Sequence, residues 1–126
     1  MHVIIDKPNN FVLYILLNNT DDHLRNHGLL RCGSGWRLSP AFDINPTPDS
    51  TTIRATSVFF EFEKVKALAA LKANHEIFNL SSYKAYEIYN DVSKAVKSID
   101  FYATRADISK EERKMIATTI GVHMIA

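Results

Sequence analysis

Three prolines, Pro40, Pro46 and Pro48, fall between Ser39 and Asp49, and no long helix can run through them. Proline lacks the backbone N–H that a helix interior requires, and its ring clashes with the preceding turn. The stretch is expected to be an ordered loop. It divides the chain into a mixed, polar-rich part up to residue 50 and a helical part over 51–126.

Before the loop, Pro8 sits where a first helical turn tolerates it. Phe11, Val12, Ile15 and Leu16 follow at helical spacing and predict a buried helix over Asn9 to Leu17. The polar run Asn18-Asn19-Thr20-Asp21-Asp22 cannot extend that apolar face and should end it. Gly28-Leu29-Leu30-Arg31 and Trp36-Arg37-Leu38 flank Cys32-Gly33-Ser34-Gly35, two short apolar segments around a glycine-containing turn, which predicts a β-hairpin.

After the loop, Phe62, Val65, Leu68 and Leu71 recur at intervals of three, and Ala67, Ala69 and Ala70 favour helix. Ser81 or Ser82 is expected to cap a long helix carrying Tyr86, Tyr89, Val92, Val96 and Ile99. Ser109-Lys110-Glu111-Glu112 has the form of a capping box, in which hydroxyl and carboxylate each satisfy an orphan backbone donor. Met115, Ile116, Thr119 and Ile120 should face inward from the last helix, which Gly121 could end. The tyrosines and methionines of this half are expected in the core. The fold class is mainly α with a small β-hairpin, in one domain over 1–126.

Composition narrows the function classes. The 126 residues carry a net charge of +1 and no block of like charges, so the electrostatic signature of a general nucleic-acid or membrane-surface binder is absent. Cys32 is the only cysteine, which excludes an intrachain disulfide and fits a reducing compartment, the cytosol. The longest apolar run, Phe11 to Leu17, has seven residues, against about 20 for a membrane span. No signal-peptide pattern opens the sequence, and a cytoplasmic domain is expected.

Polar chemistry concentrates between Asn18 and His27. Asp21 and Asn26 stand as D-x-x-x-x-N, the spacing of a protein-kinase catalytic loop, where the aspartate accepts the substrate hydroxyl proton and the asparagine holds magnesium. Such a loop is followed across a hairpin by a second metal-binding aspartate, and Asp43 occupies that place. Hard oxygen donors such as Asn26 and Asp43 suit magnesium, which also keeps water and phosphate ligands. The spacing alone also fits plain capping: Asp21 or Asp22 on a short helix ending at Asn26-His27-Gly28, and Asp43 on a turn before Pro46. A zinc pair is a further alternative, with His23 and His27 on one helical face, though no H-E-x-x-H glutamate lies between them. Otherwise His23 is expected to brace the loop by hydrogen bonding, and His2, His75 and His123 to lie on the surface.

Asn19-Thr20-Asp21-Asp22-His23-Leu24-Arg25-Asn26-His27-Gly28, followed by Trp36-Arg37-Leu38-Ser39-Pro40-Ala41-Phe42-Asp43-Ile44-Asn45-Pro46, resembles the C-terminal signature of HipA-like toxin kinases. The resemblance is specific over Phe11 to Pro48 and looser in the helical tail. It implies the C-terminal lobe of a kinase-like HipA fold and phosphorylation of protein serine or threonine from Mg-ATP. By resemblance Asp21 is the catalytic aspartate, Asn26 and Asp43 are magnesium ligands, and His23 is the motif histidine, counted with the catalytic and cofactor-binding residues. The implied partners are a helix-turn-helix antitoxin and an unidentified protein substrate. No direct nucleic-acid contact and no membrane are expected. A kinase also needs a glycine-rich phosphate loop and a phosphate-pairing lysine upstream. The 20 residues before Asp21 contain no glycine, and Lys7 is their only lysine. The chain is therefore expected to act as a lobe that needs its ATP-clamping half from elsewhere. The alternative is a non-catalytic helical interaction domain of a toxin–antitoxin system. A homo-oligomer through a bare apolar surface near Val3 to Leu17 is also expected.

Overall fold

The computed structural model describes residues 3–4, 8–48 and 52–121. Helix α1 (Pro8–Leu16) lies at the centre. Val12, Ile15 and Leu16 are buried in one cluster with Val58, Ala67, Leu68, Leu71, Val96 and Ile120. Full burial of a side chain such as Ile15 contributes about 1.5–3 kcal/mol. Cutting it to alanine would cost about 2–5 kcal/mol, because a cavity is added to the lost transfer energy.

The end of α1 has a specific cause. Asn18 adopts the left-handed conformation at φ 55°. Its N–H donates to the Ile15 carbonyl at 3.1 Å, and the Asn19 N–H to the Tyr14 carbonyl at 2.8 Å. That is a Schellman motif, with asparagine in the place glycine usually takes. The Leu16 carbonyl accepts from the Lys64 ammonium at 2.7 Å, and the same nitrogen reaches the Thr119 carbonyl at 3.4 Å. One lysine thus draws together the ends of α1 and the last helix.

The hairpin forms where expected, from β2 (Leu29–Cys32) and β3 (Gly35–Leu38), antiparallel, with Leu29 opposite Leu38 and Cys32 opposite Gly35. Gly33 makes the turn possible with its φ of 59°. A third strand, β1 (Val3–Ile4), pairs parallel to β3, which no local signal in so short a segment announced.

The second half supplies α2 (Lys64–Ala73), α3 (Ser82–Lys97), α4 (Ile99–Arg105) and α5 (Lys110–Gly121). The Ser81 hydroxyl caps α3 by accepting the Lys84 N–H at 3.2 Å. The capping box of α5 closes in both directions, with Glu112 N–H to Ser109 Oγ at 3.2 Å and Ser109 N–H to Glu112 Oε2 at 3.3 Å. The domain is mainly helical with a small hairpin, and its two halves meet in one core, where α1 packs on α2 and α3.

Several expectations are corrected. Steps of three residues slip by about 60° each on a helix of 100° per residue. Val65 is accordingly exposed while Leu68 and Leu71 are buried, and Phe62, exposed too, precedes the helix. Tyr86 and Met115 also face outward, with Tyr83 and Tyr102, so the aromatic and methionine residues of this half are not generally core. Ile99 starts α4 rather than continuing α3, after a break at Ser98. The apolar face expected bare near Val3 to Leu17 is, from Val12 to Leu16, the middle of the core. His2 and His123 lie outside the described residues. His75 is half-buried and bonded through Nδ1 to the Leu80 carbonyl at 2.7 Å. Among the described residues no helix is long and apolar enough to cross a membrane.

Candidate functional site

The Schellman end of α1 delivers the chain into a loop that is pinned from both sides. Asn18 Nδ2 donates to the Thr47 carbonyl at 3.0 Å, and the Thr47 N–H donates back to the Asn18 carbonyl at 3.1 Å. The hydroxyls of Thr20 and Thr47 meet at 2.7 Å, and the Ala55 N–H donates to the Thr20 carbonyl at 2.8 Å. The proline-containing loop is therefore stitched directly to the segment preceding Asp21.

The two adjacent aspartates part company. Asp21 is exposed, whereas Asp22 is buried. Asp22 Oδ1 lies 2.7 Å from His27 Nε2, and its backbone carbonyl accepts from the Thr56 hydroxyl. The rings of His27 and Tyr14 meet edge to face with centroids 5.7 Å apart. Burial, with the Asp22 charge nearby, pushes the Tyr14 phenol above its usual range.

Between the aspartates and Gly28, Leu24–Asn26 form a 3-10 turn rather than an α-helix. Asn26 is buried, and its Nδ2 donates to the Asp21 carbonyl at 3.3 Å. That bond spends the amide nitrogen on the loop and leaves the amide oxygen as the atom with capacity for a cation. The Ser39 N–H donates to the Gly28 carbonyl at 2.7 Å, closing the open end of the hairpin. A Cβ on Gly28 would come within 3.2 Å of the Ser39 hydroxyl. Asn26 and Asp43 flank this closure on either side. Asp43 is exposed, holds φ at 56°, and accepts from Asn45 Nδ2 at 2.8 Å.

The zinc arrangement fails on geometry. His23 and His27 are the two extended residues that flank the 3-10 turn, so they do not share one helical face. His27 is moreover engaged with Asp22. Among the described residues no three His, Cys, Asp or Glu side chains gather to hold a metal. A magnesium site does not require such a cluster, since one or two protein oxygens with phosphate and water complete it. Asn26 and Asp43 fit that donor set. The loop's bracing histidine is His27, not His23, whose Nδ1 is buried without a hydrogen-bond partner among the described residues.

Behind the loop lies a cleft of about 230 Å³, whose walls include Phe11, Tyr14, Asp22, His23, Arg54 and Val58. Of the four residues that the resemblance assigns to the site, His23 lines it, while Asp21, Asn26 and Asp43 do not. Arg54 is 5% exposed, and its Nε donates to the Thr56 carbonyl at 3.4 Å. Burial lowers the Arg54 pKa from its usual value, opposed by the Asp22 charge. Sequence reasoning missed Arg54, Tyr14 and the role of His27. Arg54 is a lone charge between Ile53 and Ala55 in a threonine-rich stretch, and nothing local marks it as interior.

A mainly helical domain with an acidic loop, a 3-10 turn, a closed hairpin and an aspartate in left-handed backbone defines the class. The chain belongs to the HipA-like C-terminal domain family, whose sequence model matches residues 9–100 and so spans α1, the loop, the hairpin, α2 and α3. Comparison with curated proteins and with solved structures gives no match.

Proposed function

We propose that this chain is the C-terminal catalytic lobe of a HipA-type toxin kinase that transfers a phosphoryl group from Mg-ATP to serine or threonine of a protein. The observation that carries the reading is the contrast within one loop. Asp21 is exposed, while its neighbours Asp22 and Asn26 are buried and bonded so as to fix the backbone around it. A general base needs that combination, a free carboxylate on a rigid support, and contributes about 10²–10⁴ in rate.

In this reading Asp21 accepts the proton of the substrate hydroxyl. The Asn26 amide oxygen and the Asp43 carboxylate hold magnesium. When bound with ATP, the metal supplies neutralisation of the charge on the transferring phosphate. Asp43 in left-handed backbone supports its role, because non-glycine residues with positive φ cluster at functional sites. His23 keeps a place among the loop's functional residues through its unspent Nδ1. The phosphate clamp is to be supplied by residues other than those preceding Asp21 here. The setting is the cytoplasm, and the partner a helix-turn-helix antitoxin. Self-association would use the hairpin, where Leu29, Leu30 and Trp36 are exposed, rather than α1.

The test is calorimetric titration of a non-hydrolysable ATP analogue, with and without magnesium, into the wild type, Asp43→Ala and Asn26→Ala. Magnesium-dependent uptake by the wild type alone is the expected result. Uptake indifferent to magnesium assigns the chain instead to a non-catalytic interaction domain, whereas no uptake by any of the three proteins means a lobe that binds nucleotide only once its phosphate clamp is supplied.

A further inference from the structure

We propose that the cleft behind the loop, a site separate from Asp21, Asn26 and Asp43, binds a small organic anion through Arg54, with the apolar body of the ligand against Phe11, Leu24 and Val58. A guanidinium is costly to bury, and one held at 5% exposure is normally bonded on several sides. Arg54 is not. Among the described residues its only guanidinium acceptor is the Thr56 carbonyl on Nε, and the two terminal nitrogens have none. His23 contributes a second unspent polar atom, its buried Nδ1. Both residues line the same cleft of about 230 Å³.

The carboxylate in that cleft does not answer Arg54. Asp22 makes no ion pair with it within 4.0 Å and is engaged by His27 at 2.7 Å. The cleft therefore offers Arg54 donors that no carboxylate meets at bonding distance, with the Asp22 charge acting on them only from further off, beside an apolar wall. That is the usual composition of a small-molecule pocket, mostly hydrophobic with a few polar groups that set orientation. The ligand that fits carries two acceptor oxygens in a plane or fork, a carboxylate or a phosphate, since both match the bidentate face of a guanidinium. Because Asp22, His23 and Leu24 belong both to this cleft and to the loop holding Asp21, an occupied cleft would stiffen that loop.

The experiment is an NMR titration of the full chain, reading backbone amides and arginine Nε–H signals, without magnesium. The probes are benzoate, phenyl phosphate, benzyl alcohol and benzylamine. Benzoate or phenyl phosphate should shift Phe11, Leu24, Val58 and the Arg54 Nε–H saturably, and which one binds tighter separates a carboxylate from a phosphate ligand. The neutral and cationic probes should bind at least about tenfold more weakly, the least that one charge-assisted hydrogen bond provides. Asp43→Ala should leave this binding intact, and Arg54→Gln should remove the preference for anions. If Arg54→Gln does not fold, the wild-type Arg54 Nε–H shift decides alone. Equal affinity for benzyl alcohol, preference for benzylamine, loss in Asp43→Ala, shifts confined to other surfaces, or no saturable binding would each overturn the proposal.

Discussion

His27 Nε2 lies 2.7 Å from Asp22 Oδ1, so the loop that presents Asp21 to solvent is held from within by the aspartate next to it. Four residues lie between the pair, and the 3-10 turn among them sets the reach. Removing His27 strands a buried carboxylate, which costs more than the bond itself was worth. His27→Ala should destabilise the domain by about 2 kcal/mol in urea unfolding, and Asp22→Ala by a similar amount. The double variant should recover about 1 kcal/mol or more of the summed loss, because the two side chains share one interaction. Strict additivity would mean that the pair is not formed in solution.

Asp21 and Asp22 should separate stability from chemistry. Asp21 is exposed, so Asp21→Asn should leave stability within about 0.5 kcal/mol of the wild type. Once the phosphate clamp is supplied, the same change should lower phosphoryl transfer by about 10²–10⁴-fold. Asp22→Asn should instead act mainly on stability, with activity falling only as far as the folded fraction does. Activity lost equally in both variants at matched folded fraction would move the base from Asp21 to the pair.

How much of this was legible in the sequence depends on the range of the interaction. α1, the hairpin and the α5 capping box rest on residues within a few positions of each other, and each appears where its pattern falls. The loop stood out as a polar cluster, but the opposite burial of Asp21 and Asp22 did not, because it depends on His27 and on Thr56 reaching back from beyond the prolines. Arg54 and Lys64 read as ordinary polar residues. Their burial follows from packing against α1 and the loop, which no local periodicity encodes. The exposed Tyr86 and Met115 mark the opposite failure, where an apolar residue at nearly the right spacing lies outside the buried arc.

The turn joining Val58 to Glu61 carries strain that can be removed. The two residues exchange backbone hydrogen bonds at 2.9 and 3.0 Å across a two-residue turn. The central residues are Phe59 at φ 50° and Phe60 at φ 67°. Such a turn favours Asn-Gly, since bulky side chains are disfavoured at positive φ. Phe59 stacks edge-on to Phe78 at 6.4 Å, a contact that offsets part of its cost, while Phe60 is 92% exposed and packs on nothing comparable. Phe60→Gly should therefore stabilise the domain by about 0.5–1 kcal/mol in thermal unfolding. A loss of stability would show that Phe60 is covered in solution.

Lys64 should give the fold a pH dependence of unusual sign. Desolvation lowers its pKa from 10.5 to about 8, although its ammonium donates to the Leu16 and Thr119 carbonyls. In the unfolded chain the lysine keeps its ordinary value. Between about 8 and 10.5 the unfolded state therefore binds more protons than the folded one, and stability from this group rises with pH. Below pH 8 the folded state bears the full cost of a buried charge. Above it the neutral amine still donates to the carbonyls that end α1 and α5. Thermal unfolding of the wild type and Lys64→Met from pH 7 to 10 reads the effect as a difference. Tyr14, whose phenol is held above its usual range, is common to both proteins and cancels. The wild type should hold nearly level against Lys64→Met below about pH 8 and gain on it from there to pH 10. A difference that stays flat would mean that the ammonium is solvated, and that α1 and α5 are drawn together by packing alone.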